Sequence, residues 1–366
     1  MKIGLMHNLY GEFKRGGAEN IVKQQARELH SLGHEIFLIT TKPSFSAAAP
    51  KSRDEDGLRI YRLRSGFYDL GARPAYLRFF WHLADLLSIR KYRQIKKILS
   101  RENPDLVITH NLMGLGFLAP FALKRRRIRW EHCLHDIQLL HPSGLMIFGQ
   151  EGMINSFGAK IYQALTKRLF SSPQRIISPS RWIYDLHRKY GFFLDVPADI
   201  RPWRQKDERG SSPKAKAGAL PASRTAGRKK LLFVGQIEDH KGIFLLLRSF
   251  MAVDDKNLSL KIAGDGQRLK QAEKIAMDDR RIEFLGRLKS RKIKEIMAAS
   301  DWLVVPSLCY ENSPTVIYEA QALDLPVLAA NLGGIPEITG PDDRLFQPGD
   351  EKDLRKELEN ISRIPS

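Results

Sequence analysis

The chain reads as an α/β protein of two domains, each a parallel sheet with helices on both faces. Three observations predict this. Apolar runs of strand length alternate with helical stretches almost from end to end, the pattern of repeated βα units. A polar stretch rich in Gly, Pro, Ala, Lys and Arg, roughly residues 204–229, interrupts that series near its middle. The 366 residues also suffice for two cores of ordinary domain size.

In the first half the strand candidates are I-G-L-M, E-I-F-L-I-T, D-L-V-I-T, I-R-W-E-H-C-L and R-I-I-S. Between them, A-E-N-I-V-K-Q-Q-A-R-E-L and one long segment from Ala75 to Ser100 carry helical periodicity. A second series runs K-L-L-F-V-G, L-S-L-K-I-A-G, R-I-E-F-L-G, D-W-L-V-V-P and L-P-V-L-A-A. The expected division is therefore a domain over 1–203, an interdomain loop over 204–229 and a domain over 230–366. No internal sequence repeat is evident.

Apolar residues make up 43% of the chain, ordinary for a globular protein. Two cysteines, Cys133 and Cys309, provide no disulfide framework and no metal-ligand spacing, and read as small buried apolar residues in a reducing compartment. The opening M-K-I-G-L-M-H-N is one strand, too short for a signal segment, and no apolar run reaches membrane-spanning length. A cytoplasmic protein is expected. The net charge of +19 favours anionic partners such as nucleotide phosphates or a membrane surface. The basic residues are dispersed and no nucleic-acid motif is present, so nucleic acid is not an expected partner.

In such sheets ligands bind where strands end. After the first strand, Gly16 and Gly17 precede a helix and let backbone approach a ligand, or simply form a turn. His135-Asp136 follows the I-R-W-E-H-C-L strand; a strand-end histidine can bond a sugar hydroxyl or donate a proton, and His132 is an equally polar competitor. The turn Q-I-E-D-H-K-G sets Lys241 and Gly242 at a helix start, where a lysine can neutralise phosphate or simply stand solvated in the turn.

The stretch E-N-S-P-T-V-I-Y-E holds Glu311 and Glu319 around a helix start, with Ser313 expected as N-cap and Pro314 in the first turn. Val316, Ala320 and Leu323 mark its apolar face. The two carboxylates fall on the order of 10–12 Å apart along the axis, with an anion cradle of free N–H groups between them. Hydroxyls at both ends and phosphate in the middle describe a nucleotide-sugar. Gly333-Gly334 in N-L-G-G-I-P-E bring a further loop near the same site or make a turn. Asp54-Glu55-Asp56, next to Gly57, reads as a solvated turn, and no metal site is expected.

Together, G-G-A-E, H-D, F-V-G-Q-I-E-D-H-K-G, I-A-G-D-G, F-L-G-R-L and P-S-L-C-Y-E-N-S-P-T-V-I-Y-E-A-Q-A-L-D-L-P-V-L-A-A-N-L-G-G-I-P-E cover nearly the whole chain in order. In this the chain resembles the retaining glycosyltransferases of family 4, with the GT-B fold of two facing Rossmann-like domains and a cleft between them. The resemblance implies a nucleotide-sugar donor as substrate, no cofactor, and a glycan or lipid-linked acceptor held mainly by the first domain. It implies that Glu319 holds the ribose, Glu311 the donor sugar, and Lys241 with the backbone around Ser313, Pro314, Thr315 and Val316 the diphosphate. His135 would reach the transferring sugar and Gly17 the diphosphate or acceptor, with the base beside Gly286–Leu288.

Two departures matter. Where the family carries an arginine partnered with the lysine, this chain has Gln236. The family's C-terminal segment, which returns to the first domain, is expected to be short in a sequence ending at Ser366. Both leave open a non-catalytic nucleotide- or glycan-binding protein, and the fold also admits a sugar-nucleotide epimerase or hydrolase. The leading expectation is retaining, metal-independent transfer in cell-surface polysaccharide or lipopolysaccharide synthesis. The segment from Ala75 to Leu99, aromatic then basic, reads first as a helix covering the sheet and second as a rest on the anionic inner face of the cell membrane.

Overall fold

The computed structural model describes residues 1–13, 17–53, 57–72, 74–203 and 228–364. Asp54-Glu55-Asp56, Gly16 and most of the expected interdomain loop lie outside them. The described residues form two sheets. The first contains β1 (Lys2–Met6), β2 (Glu35–Pro43), β3 (Lys51–Arg53), β4 (Arg59–Ser65), β5 (Leu106–Thr109), β6 (Arg129–Cys133), β7 (Arg175–Ser178) and β8 (Ala198–Ile200). Their order is β3-β4-β2-β1-β5-β6-β7-β8, parallel throughout except for β3, which runs antiparallel to β4. The second has β9 (Lys229–Val234), β10 (Leu258–Ala263), β11 (Ile282–Gly286), β12 (Trp302–Val305), β13 (Val327–Ala330) and β14 (Arg344–Phe346), ordered β11-β10-β9-β12-β13-β14.

Helices fill the crossovers, as parallel pairing requires: α1 (Ala18–Ser31), α2 (Ala75–Leu86), α3 (Ile89–Glu102), α4 (Ala119–Arg125), α5 (Phe157–Leu169) and α6 (Arg181–Lys189) with the first sheet. The second carries α7 (Ile243–Met251), α8 (Leu269–Ala276), α9 (Ser290–Ala298), α10 (Thr315–Gln321) and α11 (Glu351–Ser362). Strand alternation shows both faces covered. Leu231, Phe233, Val304 and Leu328 join one buried cluster with α7, α8 and α11 residues, while Leu232, Leu303 and Val327 join another with Met297 and Ile317. Strands apolar on both sides, such as W-L-V-V and V-L-A-A, are what a sheet buried twice demands.

The expected long helix over Ala75–Ser100 is instead two, α2 and α3, with Ser88 extended between them. The buried Asp85 accounts for the break: it takes Lys91 Nζ at 2.6 Å and the Gly114 N–H at 2.7 Å. Residues six apart lie on different faces of a straight helix, so this ion pair forms only if the chain turns between them.

Chain contacts divide the protein into one unit of Met1–Leu145 with Gly152–Arg201 and another of Met146–Glu151 with Pro202–Ser366. Six residues from the first half of the sequence thus pack with the second unit, a detour the sequence reading did not contain. Both cysteines are free and buried. Burial and nearby acids raise the Cys133 thiol; burial and Glu311 push Cys309 up to about 12.

Candidate functional site

Strand order reverses between β1 and β5 in the first sheet and between β9 and β12 in the second. Loops leaving the strands on either side of such a point diverge and open a crevice at the strand ends. The candidate residues collect at these two points.

In the second unit the loops after β9 and β12 press backbone to backbone. Gly242 adopts φ +73°, and a Cβ there would sit 1.7 Å from the Pro306 carbonyl oxygen, so only glycine allows the approach. The N–H groups of Leu308 and Cys309 donate to the His240 carbonyl at 2.9 and 3.0 Å. Lys241, at the end of a 3-10 turn, is thereby brought onto Glu311 and forms an ion pair with its Oε1. Ser307 Oγ donates to the same oxygen at 3.1 Å, and Cys309 Sγ lies 3.5 Å away. Gly334 N–H caps the Glu311 carbonyl at 2.8 Å, and Gly333 passes so close that a Cβ would come within 2.4 Å of that oxygen. The glycine pair therefore grips Glu311 itself.

Burial opposes charge on both members of the pair, yet each holds the other ionised. The Lys241 ammonium is raised despite burial because Glu311 and Cys309 face it. Burial works against the Glu311 carboxylate, but Lys241, Ser307 and Cys309 bring it below the ordinary carboxylate range. Both charges are present near neutrality.

The helix α10 starts at Thr315, and Pro314 occupies the capping position without a side-chain bond. Ser313 is not the cap: its hydroxyl shares a 2.7 Å hydrogen bond with Tyr318 Oη, which holds it away from the helix start. The apolar face is set by Ile317, Tyr318 and Ala320, with Val316 and Leu323 only half-buried beside it. Glu319 falls in the second turn and is half-buried. Gln236 follows β9 and is exposed.

In the first unit three imidazoles meet at the ends of adjacent strands: His7 after β1, His110 after β5 and His135 after β6. His110 Nδ1 and His135 Nε2 share a hydrogen bond of 2.8 Å, and the His7 ring lies 5.8 and 6.0 Å from the other two. Burial drives all three down, His135 to about 4. The cluster is therefore uncharged near neutrality, which leaves His135 as a hydrogen-bonding group and not a charged acid. Asp136 beside it accepts from Asn111 Nδ2 at 2.7 Å and the Gln138 N–H at 2.8 Å; burial pushes it up to about 6.

His132 is placed differently. It is enclosed by Phe170, Phe193 and Trp130, with Nδ1 2.9 Å from Thr109 Oγ1, and belongs to the core. Gly17 stands at the capping position of α1 with φ −82°, a conformation open to any residue. His7 and His110 were missed in the sequence, although a signal existed: both stand in His-Asn-Leu directly after a strand. Among the described residues no group of three or more His, Cys, Asp or Glu side chains is placed to hold a metal ion, and no helix is long and apolar enough to cross a membrane.

The family model described as "Glycosyl transferase 4-like domain" matches residues 16–199, and "Glycosyl transferases group 1" matches residues 228–363. An uncharacterized 42.6 kDa protein in the cps region of Klebsiella pneumoniae is 25% identical over 344 residues, covering 93% of this chain and 87% of its own. The putative teichuronic acid biosynthesis glycosyltransferase TuaC of Bacillus subtilis is 23% identical, with 94% and 85% covered. Among solved structures, Anabaena HepE in complex with UDP superposes with a TM-score of 0.68 at 17% identity, over 99% of this chain and 90% of that one. The fold is the GT-B type, two Rossmann-like α/β units.

Proposed function

The chain belongs to the glycosyl transferase 4-like family, its second half to the group 1 glycosyl transferases, and from that premise we propose that it moves a sugar from a nucleotide-sugar to a glycan or lipid-linked acceptor with retention. The observation that carries the reading is the Lys241–Glu311 pair, fixed at the reversal point of the second sheet. A diphosphate takes the ammonium from Glu311, and the freed carboxylate turns to the sugar hydroxyls. Glu319 then holds the ribose, with the α10 start between them.

The chemical step breaks the bond from the anomeric carbon to the diphosphate oxygen and leaves an oxocarbenium-like centre. Stabilising the departing diphosphate is the main catalytic task. In this reading Lys241 and the helix starts supply that charge without a metal, and Gln236 adds none. The acceptor hydroxyl attacks from the face the diphosphate leaves, and its proton passes to that phosphate. His135, uncharged, bonds the transferring sugar.

The relatives from a cps region and from teichuronic acid biosynthesis support a place in cell-surface polysaccharide or lipopolysaccharide assembly, in the cytoplasm. Contact with an anionic membrane face is supported by α2 and α3. Leu77, Phe80 and Leu83 are exposed at helical spacing, Leu87 and Ile89 follow them, and α3 adds Arg90, Arg93, Lys96, Lys97 and Arg101. Phe80→Glu is expected to weaken binding to phosphatidylglycerol vesicles and leave binding of free nucleotide-sugar unchanged.

The direct test is a thermal-shift panel of UDP-, GDP-, ADP- and TDP-sugars on the wild type and Glu319→Ala. One sugar nucleotide is expected to raise the wild-type Tm, and much less that of Glu319→Ala; no shift from any donor would overturn the reading.

A further inference from the structure

The six residues Met146–Glu151 leave the first unit and return to it, yet pack with the second. They lie against Leu308–Tyr310, the residues directly before Glu311. Ile147 and Cys309 form an antiparallel bridge. It is closed on both sides, with Phe148 N–H on the Leu308 carbonyl and Tyr310 N–H on the Met146 carbonyl, each at 2.8 Å. Tyr310 Oη donates to Glu151 Oε1 at 2.8 Å, and the same carboxylate oxygen takes the Gly149 N–H at 2.9 Å. The Phe148 ring packs over the Gly349 backbone.

The loop that bears Glu311 is therefore held by this strap in addition to the His240 carbonyl on the Lys241 turn and the Gly334 N–H on Glu311 itself. Such short pairing contributes little to a core of this size, and the Lys241–Glu311 pair takes its polar partners, Ser307 and Cys309, from the donor loop and not from the strap. What it fixes is the path of Leu308–Tyr310, hence where the next residue stands.

We infer that Met146–Glu151 is a positioning strap for the donor loop, with Tyr310 and Glu151 as its clasp, and that it sets how well Glu311 meets the donor sugar. This rests on the reading of Glu311 as the sugar-binding carboxylate. The ribose and diphosphate groups of the proposed site, Glu319 and the α10 start, follow Glu311 in the chain, and nucleotide recognition is expected to change little when the strap is loosened.

The test compares affinity for the nucleotide-sugar that stabilises the wild type with affinity for the matching nucleoside diphosphate. Glu151→Ala and Tyr310→Phe are each expected to weaken the nucleotide-sugar roughly threefold to tenfold, the scale of one ordinary hydrogen bond, and to leave the diphosphate within twofold. Glu151→Gln retains an acceptor for Tyr310 and should restore sugar affinity. Equal weakening of both ligands would mean a general stability role and overturn the inference, as would no change in either. A wild type that binds no nucleotide-sugar would instead defeat the reading of the site. A variant that fails to fold shows itself in the diphosphate measurement and leaves Tyr310→Phe, the smaller change, to decide.

Discussion

The two reversal points handle charge in opposite ways. In the second sheet a lysine and a glutamate are pressed together until each keeps the other ionised against the cost of burial. In the first, three histidines are packed until none is charged. On the proposed reading the permanent cation suits a diphosphate, and the neutral hydrogen-bonding groups suit sugar hydroxyls without competing for it. One βα architecture can carry two such different clusters because their chemistry resides in a few loop residues after the strands.

The sharpest way to break the comparison is to remove the cation. Lys241→Ala is expected to lower kcat/KM by about a hundredfold or more, the scale for losing a group that stabilises a leaving oxyanion. A tenfold or smaller loss would mean that the charge resides elsewhere.

Acid should strike the histidine side hardest. The folded-state pKa of His135, about 4, lies below its ordinary 6.5, and His7 and His110 are depressed too. The unfolded chain therefore binds more protons below pH 6.5, and stability falls as pH drops. Each such group costs about 1.4 kcal/mol per pH unit until its folded pKa is reached. Asp136, raised to about 6, acts in the opposite sense below pH 6 and offsets part of this. We expect Tm to drop steeply from pH 6.5 to 5, and less so in His110→Asn. A flat profile would show that the cluster is not held neutral.

Two histidines three residues apart sharpen the contrast further. His132→Ala should cost about 2–3 kcal/mol of stability by denaturant melt, through a lost bond to Thr109 and a void against Phe170. His135→Ala should cost less stability and lower turnover by roughly tenfold to a hundredfold. Reversed outcomes would exchange their roles. The smallest effect is expected of Gln236→Arg. A guanidinium after β9 should tighten nucleoside diphosphate binding roughly threefold to tenfold by titration, and an unchanged affinity would place that position away from the phosphates.

Much of this is legible in the sequence. Strands apolar on both faces name themselves, and the loop containing Glu311 and Glu319 carries its own geometry in turn and helix signals. What escaped depended on contacts distant in sequence. The bend at Ser88 follows from Asp85 reaching Lys91 and Gly114, which no local propensity encodes. Ser313 looked like a cap, but Tyr318 one turn on holds its hydroxyl. That His110 meets His135 depends on the pairing of β5 with β6, and Met146–Glu151 is a detour whose partner lies some 160 residues away.

The central claim is the division of labour between Lys241 and Glu311, and calorimetric titration of Lys241→Ala and Glu311→Ala tests it most directly. Each variant is titrated with the nucleotide-sugar selected by thermal shift and with its nucleoside diphosphate. Lys241→Ala should weaken both ligands. Glu311→Ala should weaken the nucleotide-sugar alone and leave the diphosphate equal or tighter, since the ammonium is released from its partner. Equal loss of both ligands in Glu311→Ala, or unchanged binding in Lys241→Ala, would contradict the account.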